Sequence, residues 1–359
     1  MKKLIIYSEL KSYKFLLPQF IILSLCIFPS HGQNNFEFLI NQNLKPVSSE
    51  FFKSNFDTKD HEVFFDFLRK DVKILSIGEA VHGSSELWEI QSKMAIHLAK
   101  NKGFKLIVLA EMGFISSLSL NAYIHSDIDS IEYYNHIPRN FFDTLKLINQ
   151  SLSKENKISI IGTDKDEKKD IIRYLKSVSY IKNDSSWILK LADLEEAISK
   201  TITHESLNHS VGIIEQLKNS ELDNKNNLKL NEFSTKSIIQ ILDNLILNLE
   251  WEYAGNEPML NRDNIIFKNI EWLYQILGYE QMVIIYSHNF HNNKITLYED
   301  HKKYNVKAFG EQLSMAYGKY YYSIGTEVFS GKYRYNKINE VVTPSNRVHP
   351  KMSLLTSFF

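Results

Sequence analysis

The chain contains five short apolar runs, rich in isoleucine and valine, in which hydrophobic residues follow one another without regular polar gaps. Runs of this length and composition are typical of β-strands, and continuous rather than alternating apolarity indicates strands that are covered on both faces. The predicted strands are Lys73–Glu79, Lys105–Glu111, Ile158–Asp164, Gln281–Asn289 and Tyr320–Phe329.

Between these runs the hydrophobic positions recur at helical spacing. In the segment Ser84–Asn101, apolar side chains stand three or four positions apart, and Gly103 follows as a helix-ending residue. The segments Arg139–Glu155 and Asn261–Leu277 show the same period. Because strands and helices alternate, we predict an α/β fold of three layers, in which helices flank a mainly parallel sheet.

The segment from about 165 to 250 interrupts this alternation. It is rich in Lys, Glu, Asn and Leu, and it contains no run that is typical of a strand. We interpret it as a large helical insertion whose helices form a wall or lid over the sheet. Its polar middle, Asn219–Asn231, is predicted to be a loop.

The first 32 residues have the pattern of a secretory signal peptide. Lysines precede an apolar stretch, Phe15–Phe28, and small or polar residues follow it. The stretch is shorter than the ~20 residues that a membrane span needs, and no later segment is long and apolar enough to span a bilayer. We therefore predict residues 1–32 as a cleaved signal peptide, residues 33–359 as a single domain, and export to the periplasm or medium. A lipid anchor at Cys26 and a retained N-terminal anchor are the alternatives.

Composition narrows the classes of function. The 42 Lys and Arg balance 42 Asp and Glu, whereas nucleic-acid-binding proteins usually carry a basic excess. The single cysteine, Cys26, lies in the predicted signal peptide, so the mature chain would have no thiol for a disulfide, a zinc site or a nucleophile. The chain also lacks the Gly-x-Ser-x-Gly turn of serine hydrolases and a phosphate-binding glycine loop.

Four of the predicted strands have an ionisable residue at or near their end. These residues are Glu79, Glu111, Asp164 and His288. The carboxyl ends of parallel strands meet at one edge of a sheet, where ligands bind, so we expect a shared cleft there. A structural ion pair is the alternative for Glu111. Asp164 is the weakest member, because Lys165 and Asp166 follow it as in a plain loop.

The first strand end contains the best candidate for acid–base chemistry. In the segment Gly78–Gly83 (GEAVHG), the glycines allow a tight turn, and Glu79 and His82 stand three positions apart. A carboxylate beside a histidine fixes its tautomer and raises its basicity, so His82 is predicted to be a general base. The alternative is a helix N-terminus whose Glu and His are merely solvated.

Two later segments supply further polar groups. His288–His291 (HNFH) ends the fourth strand with two imidazoles and an amide, which could hold a metal, orient water or donate to a carbonyl. Arg262 opens a helix and could enter the cleft as a counter-charge, with a surface ion pair as the alternative. Carboxylates around His82 would keep it protonated unless a cation such as Arg262 or Lys93 balances them.

In order and rough spacing, these motifs resemble the erythromycin esterase family over about Phe36–Phe329. The matching residues are Gly78–Gly83, Glu86, Gly103–Phe104, Glu111, Arg262–Asp263, Trp272–Leu273, His288–His291, Phe309–Gly310, Tyr317–Gly318 and Gly325. Val81 and Gln91 depart from the family pattern, in which a hydroxyl residue and a basic residue are usual.

The resemblance implies hydrolysis of an ester or lactone by a water molecule that His82 activates, without a required metal or other cofactor. It implies that Glu79 and Glu111 orient the base and the water, and that Arg262 and His288 stabilise the oxyanion or position the ester. The residues implied to support or bind the substrate are His291, Asn289 and Lys93. The substrate would be a small-molecule ester or lactone, with opening of a macrolide ring as one possibility.

Two alternatives stand beside this prediction. A metal-dependent hydrolase would use His82, His288, His291 and a glutamate as ligands of zinc or manganese. A secreted binding protein with the same cleft would bind the ligand without turning it over.

Overall fold

The computed structural model describes residues 4–6, 68–80, 84–131, 137–223, 232–255, 262–278, 281–295, 306–328, 336–337 and 340–341. The strands in these stretches are β1 (Leu4–Ile6), β2 (Ile74–Glu79), β3 (Leu106–Gly113), β4 (Ser159–Asp164), β5 (Val283–His288), β6 (Tyr321–Val328), β7 (Asn336–Lys337) and β8 (Glu340–Val341). The main sheet has the order β1-β6-β2-β5-β3-β4, and β7 and β8 form a separate antiparallel pair. β2 to β6 run parallel, and β1 is antiparallel to β6 at one edge.

Helices occupy most of the remaining described residues. They are α1 (Ser85–Asn101), α2 (Phe114–Ile124), α3 (Arg139–Gln150), α4 (Lys168–Lys182), α5 (Ser185–Ile198), α6 (His204–Asp223), α7 (Glu232–Tyr253), α8 (Arg262–Leu277), α9 (Asn289–Asn292) and α10 (Phe309–Tyr317). The predicted end of the first helix is confirmed, because α1 stops at Asn101 and Gly103 adopts a φ of +79°. Glycine tolerates this left-handed conformation without a steric penalty.

Side chains alternate between the two faces of the sheet, and each face has its own hydrophobic core. On β3, Leu106 and Val108 pack with α4 to α8 and α10, whereas Ile107 and Leu109 pack with α1, α2 and α3. Burial of each such aliphatic side chain contributes about 1.5–3 kcal/mol. The predicted α/β fold, with helices on both faces of a mainly parallel sheet, is therefore confirmed.

The predicted helical insertion corresponds to α4 to α7, which cover one face of the sheet together with α8. Lys182 of α4 pairs with the buried Glu221 of α6, and its ammonium lies 4.7 Å from the ring of Trp187 in α5. These contacts join three helices of the insertion. The predicted loop Asn219–Asn231 is helical up to Asp223, and the rest of that segment lies outside the described residues.

Two helices differ from the prediction. α3 ends at Gln150, before the predicted Glu155, and the hydroxyl of Ser151 donates to the carbonyl of Ile148 at 2.7 Å. A serine that bonds the preceding turn competes with the helical hydrogen bonds, which favours the end of the helix there. α2 was not predicted, because its apolar residues are spread around the helix and show little helical period.

Most of the predicted signal peptide lies outside the described residues, apart from the strand β1. The signal peptide and the domain boundary at residue 33 stay predictions. Cleavage at that point would remove β1 and leave β6 as an edge strand of the parallel sheet. In the part of the chain that the structure describes, no helix has both the length and the apolarity to cross a membrane.

Candidate active site

The parallel register brings polar strand ends to one edge of the sheet. Glu79 of β2 and His288 of β5 are direct neighbours in the register, and Gly113 of β3 pairs with Asp164 of β4. Glu111 precedes Gly113 on β3, and its carboxylate accepts a hydrogen bond from the His288 backbone N–H at 2.5 Å. The polar strand ends that the sequence singled out therefore lie along a single edge.

Two backbone groups hold the His288 ring. Its Nδ1 accepts a hydrogen bond from the N–H of Phe290 at 3.2 Å, and its Nε2 lies 2.8 Å from the carbonyl oxygen of Ala80. Because a backbone N–H only donates and a carbonyl only accepts, these two contacts fit the tautomer that carries its proton on Nε2. In this geometry His288 directs its ring N–H at Ala80, next to Glu79 at the end of β2.

The guanidinium of Arg262 lies between two carboxylates. Its Nε and Nη2 are each 2.7 Å from Asp164 Oδ2, and Nη2 is 3.5 Å from Glu111 Oε2. The exposed fractions of the three side chains are 14% for Arg262, 24% for Glu111 and 11% for Asp164. Charges this deeply buried are stable only when they are paired, so the three residues form one ionic triad.

The charge of Asp164 depends on this triad. Burial raises the pKa of Asp164 above its ordinary value, and the neighbouring Arg262 opposes that rise. A hydrogen bond of 2.8 Å from the Lys165 N–H also favours the carboxylate form. Asp164, for which the sequence favoured a plain loop, is thus a partner of the predicted site residue Arg262.

The sequence did not identify Asp166, whose carboxylate caps α2. Its Oδ1 and Oδ2 lie 3.1 and 3.3 Å from the backbone nitrogen of Ile115, whose N–H donates to both oxygens. Burial raises the pKa of Asp166 to about 6, despite these hydrogen bonds. The cap and the capped residue Ile115 are 51 positions apart, so no local sequence pattern signals the contact.

Asn289, predicted to contact the substrate, fastens α9 to the sheet. Its Nδ2 donates to the carbonyl of Thr326 on β6 at 2.8 Å. A methyl group at Gly78 would overlap the side chains of Asn289 and Asn292. Gly78 is therefore required by the close approach of α9 to β2.

His291, also predicted to support or bind the substrate, contacts the residue beside Arg262. Its Nδ1 is 2.6 Å from Asp263 Oδ1, and its ring stacks on Phe309 with centroids 6.1 Å apart. Asp263 is only 1% exposed. The contact joins α9 to the first turn of α8 and so supports the position of Arg262.

Lys93 and Gln91 lie in the buried part of α1. The Lys93 ammonium is 2.9 Å from Glu89 Oε1, one turn earlier in the same helix. Gln91 donates to the carbonyl of Ile77 at 3.0 Å and lies 3.5 Å from that of Ser287. Gln91 thus links α1 to β2 and β5, at a buried position where a charged side chain would need a partner.

Aromatic side chains pack around Tyr286, which precedes His288 by two positions on β5. Tyr286 stacks on Trp88 of α1 with ring centroids 6.3 Å apart, and Phe141 of α3 lies 5.7 Å from it. Tyr286 and Phe141 are buried, whereas Trp88 is partly exposed. This aromatic layer lowers the local polarity, which strengthens electrostatic interactions at the sheet edge.

The predicted base lies outside the described residues, as do its neighbours Val81 and Gly83. Both flanking residues are described: Ala80 contacts His288, and Ser84 caps α1 by accepting from the N–H of Leu87 at 3.4 Å. The assignment of the base, and the catalytic roles of the other site residues, stay predictions. Across the described stretches, no group of three or more His, Cys, Asp or Glu is arranged to hold a metal ion.

A family model described as erythromycin esterase matches residues 99–352. The chain belongs to the erythromycin esterase family. The matched range contains Glu111, Arg262 and His288, and it begins after the segment Gly78–Gly83. Membership of this family supports a hydrolase function for the chain.

Solved structures share the fold. A protein from Bacillus cereus is 22% identical, with a TM-score of 0.63 over 81% of this chain and 73% of that chain. A succinoglycan biosynthesis protein is 16% identical, with a TM-score of 0.58 over 79% and 76% of the two chains. A mutant of the erythromycin esterase EreC in its open conformation is 15% identical, with a TM-score of 0.54 over 74% and 72%. No curated protein matches the chain in sequence.

Proposed function

We propose that this protein is an exported hydrolase that cleaves carboxylic esters or lactones with a water molecule activated by His82. The observation that carries the proposal is the Glu111 carboxylate, which accepts from the His288 backbone with one oxygen and faces Arg262 with the other. The cluster lies at the sheet edge where parallel α/β folds bind their ligands. Family membership supports the same class of reaction.

Chain connectivity tethers the proposed base to this cluster. The carbonyl of Ala80 is within hydrogen-bond distance of the His288 ring, and His82 follows two residues later. Consecutive Cα atoms are about 3.8 Å apart, so the Cα of His82 is within about 8 Å of that of Ala80. Glu79, which is 1% exposed and in register with His288, is the carboxylate that fixes the imidazole in this proposal.

The ionic triad controls the protonation of the base. The single positive charge of Arg262 offsets one of the two negative charges of Glu111 and Asp164, and Glu79 is the carboxylate nearest to His82 in the chain. One neighbouring carboxylate raises the basicity of an imidazole. Three uncompensated carboxylates would hold it protonated, and a protonated imidazole cannot accept a proton from water.

The proposed reaction begins when His82 takes a proton from water and the resulting hydroxide attacks the ester carbonyl carbon. The tetrahedral intermediate carries an oxyanion, which the guanidinium of Arg262 stabilises. We assign the donor to Nη1, because Nε and Nη2 are the nitrogens that contact Asp164 and Glu111. As the intermediate collapses, the bond to the alcohol oxygen breaks and the imidazolium returns its proton to that oxygen.

A lactone is an ester within a ring, so the same steps open a small lactone or a macrolide. The partly exposed Trp88, stacked on Tyr286, offers an apolar surface beside this edge. We expect substrates with an apolar portion to be preferred for that reason. The N-terminal pattern supports action outside the cytoplasm.

The test compares His82→Ala with His209→Ala, an exposed histidine of the insertion that pairs with Asp193 at 3.0 Å. Wild type and variants are incubated with p-nitrophenyl esters, small lactones and macrolides, and products are identified by the mass gain of one water. We expect kcat/KM to fall by about 10³-fold for His82→Ala and to stay unchanged for His209→Ala. Undiminished hydrolysis by His82→Ala, or no hydrolysis of any compound by wild type, refutes the proposal. Full activity after dialysis against a chelator excludes the metal-dependent alternative.

A further inference from the structure

Asp166, which lies beyond the end of β4, joins the two strand ends that carry the carboxylates of the ionic triad, Glu111 and Asp164. It follows Asp164 in the chain, and its carboxylate accepts hydrogen bonds from the first turn of α2. That turn begins directly after β3, the strand whose end carries Glu111. One side chain therefore connects the segment after Asp164 to the segment after Glu111.

Two glycines leave no spare room at this junction. A methyl group at Gly113, the last residue of β3, would overlap the carboxylate of Asp166. A methyl group at Gly162 of β4 would overlap the carbonyl oxygens of Met112 and Gly113. The backbone after Glu111 is thus packed against both β4 and Asp166, at the point where the register of β3 and β4 shifts.

The contacts of Glu111 require this backbone to be well placed. Its two carboxylate oxygens face different elements, with the His288 N–H at 2.5 Å and Arg262 Nη2 at 3.5 Å. A displacement of about 1 Å in such an arrangement costs on the order of 10²-fold in rate.

We propose that Asp166 is a positioning residue, which holds the turn between β3 and α2 and thereby sets the position of Glu111 in the active site. Asp166 acts through the α2 backbone and Gly113 and does not itself contact the substrate. The effect of Asp166 on turnover rests on the proposed hydrolase function. Its effect on the position of Glu111 does not.

The test uses two changes that disturb the same contact from opposite sides. Asp166→Ala removes the carboxylate, and Gly113→Ala adds a methyl group that overlaps it; Gly113 has a φ of −63°, which alanine adopts without strain. Asp166→Asn keeps an oxygen acceptor and is the conservative variant. Asp184→Ala is the matched control, because Asp184 caps α5 in the insertion through a bond of 3.1 Å to the Trp187 N–H.

The first measurement needs no substrate. In protein labelled with ¹⁵N-histidine, the amide resonance of His288 reports its hydrogen bond to Glu111. We expect that resonance to move, and its exchange with solvent to quicken, in Asp166→Ala and Gly113→Ala. We expect no change in Asp184→Ala and little change in Asp166→Asn.

The second measurement is turnover of p-nitrophenyl acetate. We expect kcat to fall about 10- to 100-fold in Asp166→Ala with KM changed by less than about threefold, and to recover largely in Asp166→Asn. The double variant that combines Asp166→Ala with Gly113→Ala should have a kcat no lower than that of Asp166→Ala alone, because removing the carboxylate relieves its overlap with the new methyl group. The proposal is overturned if Asp166→Ala changes the His288 resonance and kcat no more than the control Asp184→Ala does. Absence of wild-type hydrolysis would count against the hydrolase function alone, since the amide measurement still decides the position of Glu111.

Discussion

The buried carboxylate of Asp166 makes a prediction about stability that requires no substrate. Its pKa is raised from 3.8 to about 6, chiefly by burial. At about 1.4 kcal/mol per pKa unit, this rise corresponds to about 3 kcal/mol. Because the folded pKa is the higher one, this stability is present at acidic pH and is lost as the pH rises through about 6.

Asp166→Asn removes the titration and keeps an oxygen that accepts the hydrogen bond of Ile115. The variant should therefore gain stability relative to wild type as the pH rises. When the linkage relation is integrated, wild type loses about 2 of these 3 kcal/mol of stability between pH 4.5 and 7.5, and Asp166→Asn does not. Other groups titrate alike in both proteins and cancel in the difference, except for a small effect through the neighbouring Asp164.

The assay is urea denaturation at several pH values, followed by tryptophan fluorescence, with Asp184→Asn as the control for an ordinary helix cap. The difference in free energy of unfolding between Asp166→Asn and wild type should grow in favour of the variant with increasing pH. A difference that grows in favour of wild type would show that the N–H groups at the start of α2 outweigh burial. That result would contradict the predicted direction of the pH dependence.

Two further predictions concern the surrounding packing and charges. Arg262→Gln leaves Asp164 buried without its cation, so the free energy of unfolding at neutral pH should fall by about 3–5 kcal/mol. The loss should be smaller at acidic pH, where Asp164 is protonated. The control is Arg173→Gln, which changes a side chain that is 78% exposed and should lower the free energy of unfolding by less than about 1 kcal/mol. Gly78→Ala should lower stability by about 1–3 kcal/mol through the overlap with α9. The control Gly212→Ala, in a helix where the methyl group meets nothing within 4 Å, should raise it by up to about 1 kcal/mol. Equal effects of the two members of either pair, measured by urea denaturation, would contradict these predictions.

The strands and the longer helices could be predicted because their signals are local. β3, for example, begins with a continuous apolar run whose side chains are buried on both faces of the sheet. The end of α1 was likewise visible in Gly103, whose positive φ suits the residue after a helix. α2 escaped prediction because its apolar residues are spread around the helix, while the polar residue Ser117 occupies one of its buried positions.

The site was predictable only in outline. Polar residues at strand ends indicate a shared edge, since parallel strands direct their carboxyl ends the same way, and Glu111 and His288 do meet there. The pairing of Arg262 with Asp164 spans 98 positions, and no spacing rule connects them.

The class of fold, the edge of the sheet at which polar groups gather, and the motifs shared with the erythromycin esterase family could all be inferred from the order of amino acids alone. The position of Arg262 between Glu111 and Asp164, and the capping by Asp166 of a helix from another part of the chain, became visible only in the folded molecule. The difference arises because only some interactions leave a local pattern in the sequence. Hydrophobic burial follows the repeat of a helix or strand and leaves a periodic trace in the sequence, whereas a hydrogen bond or ion pair depends on which distant segments the fold brings within about 3 Å.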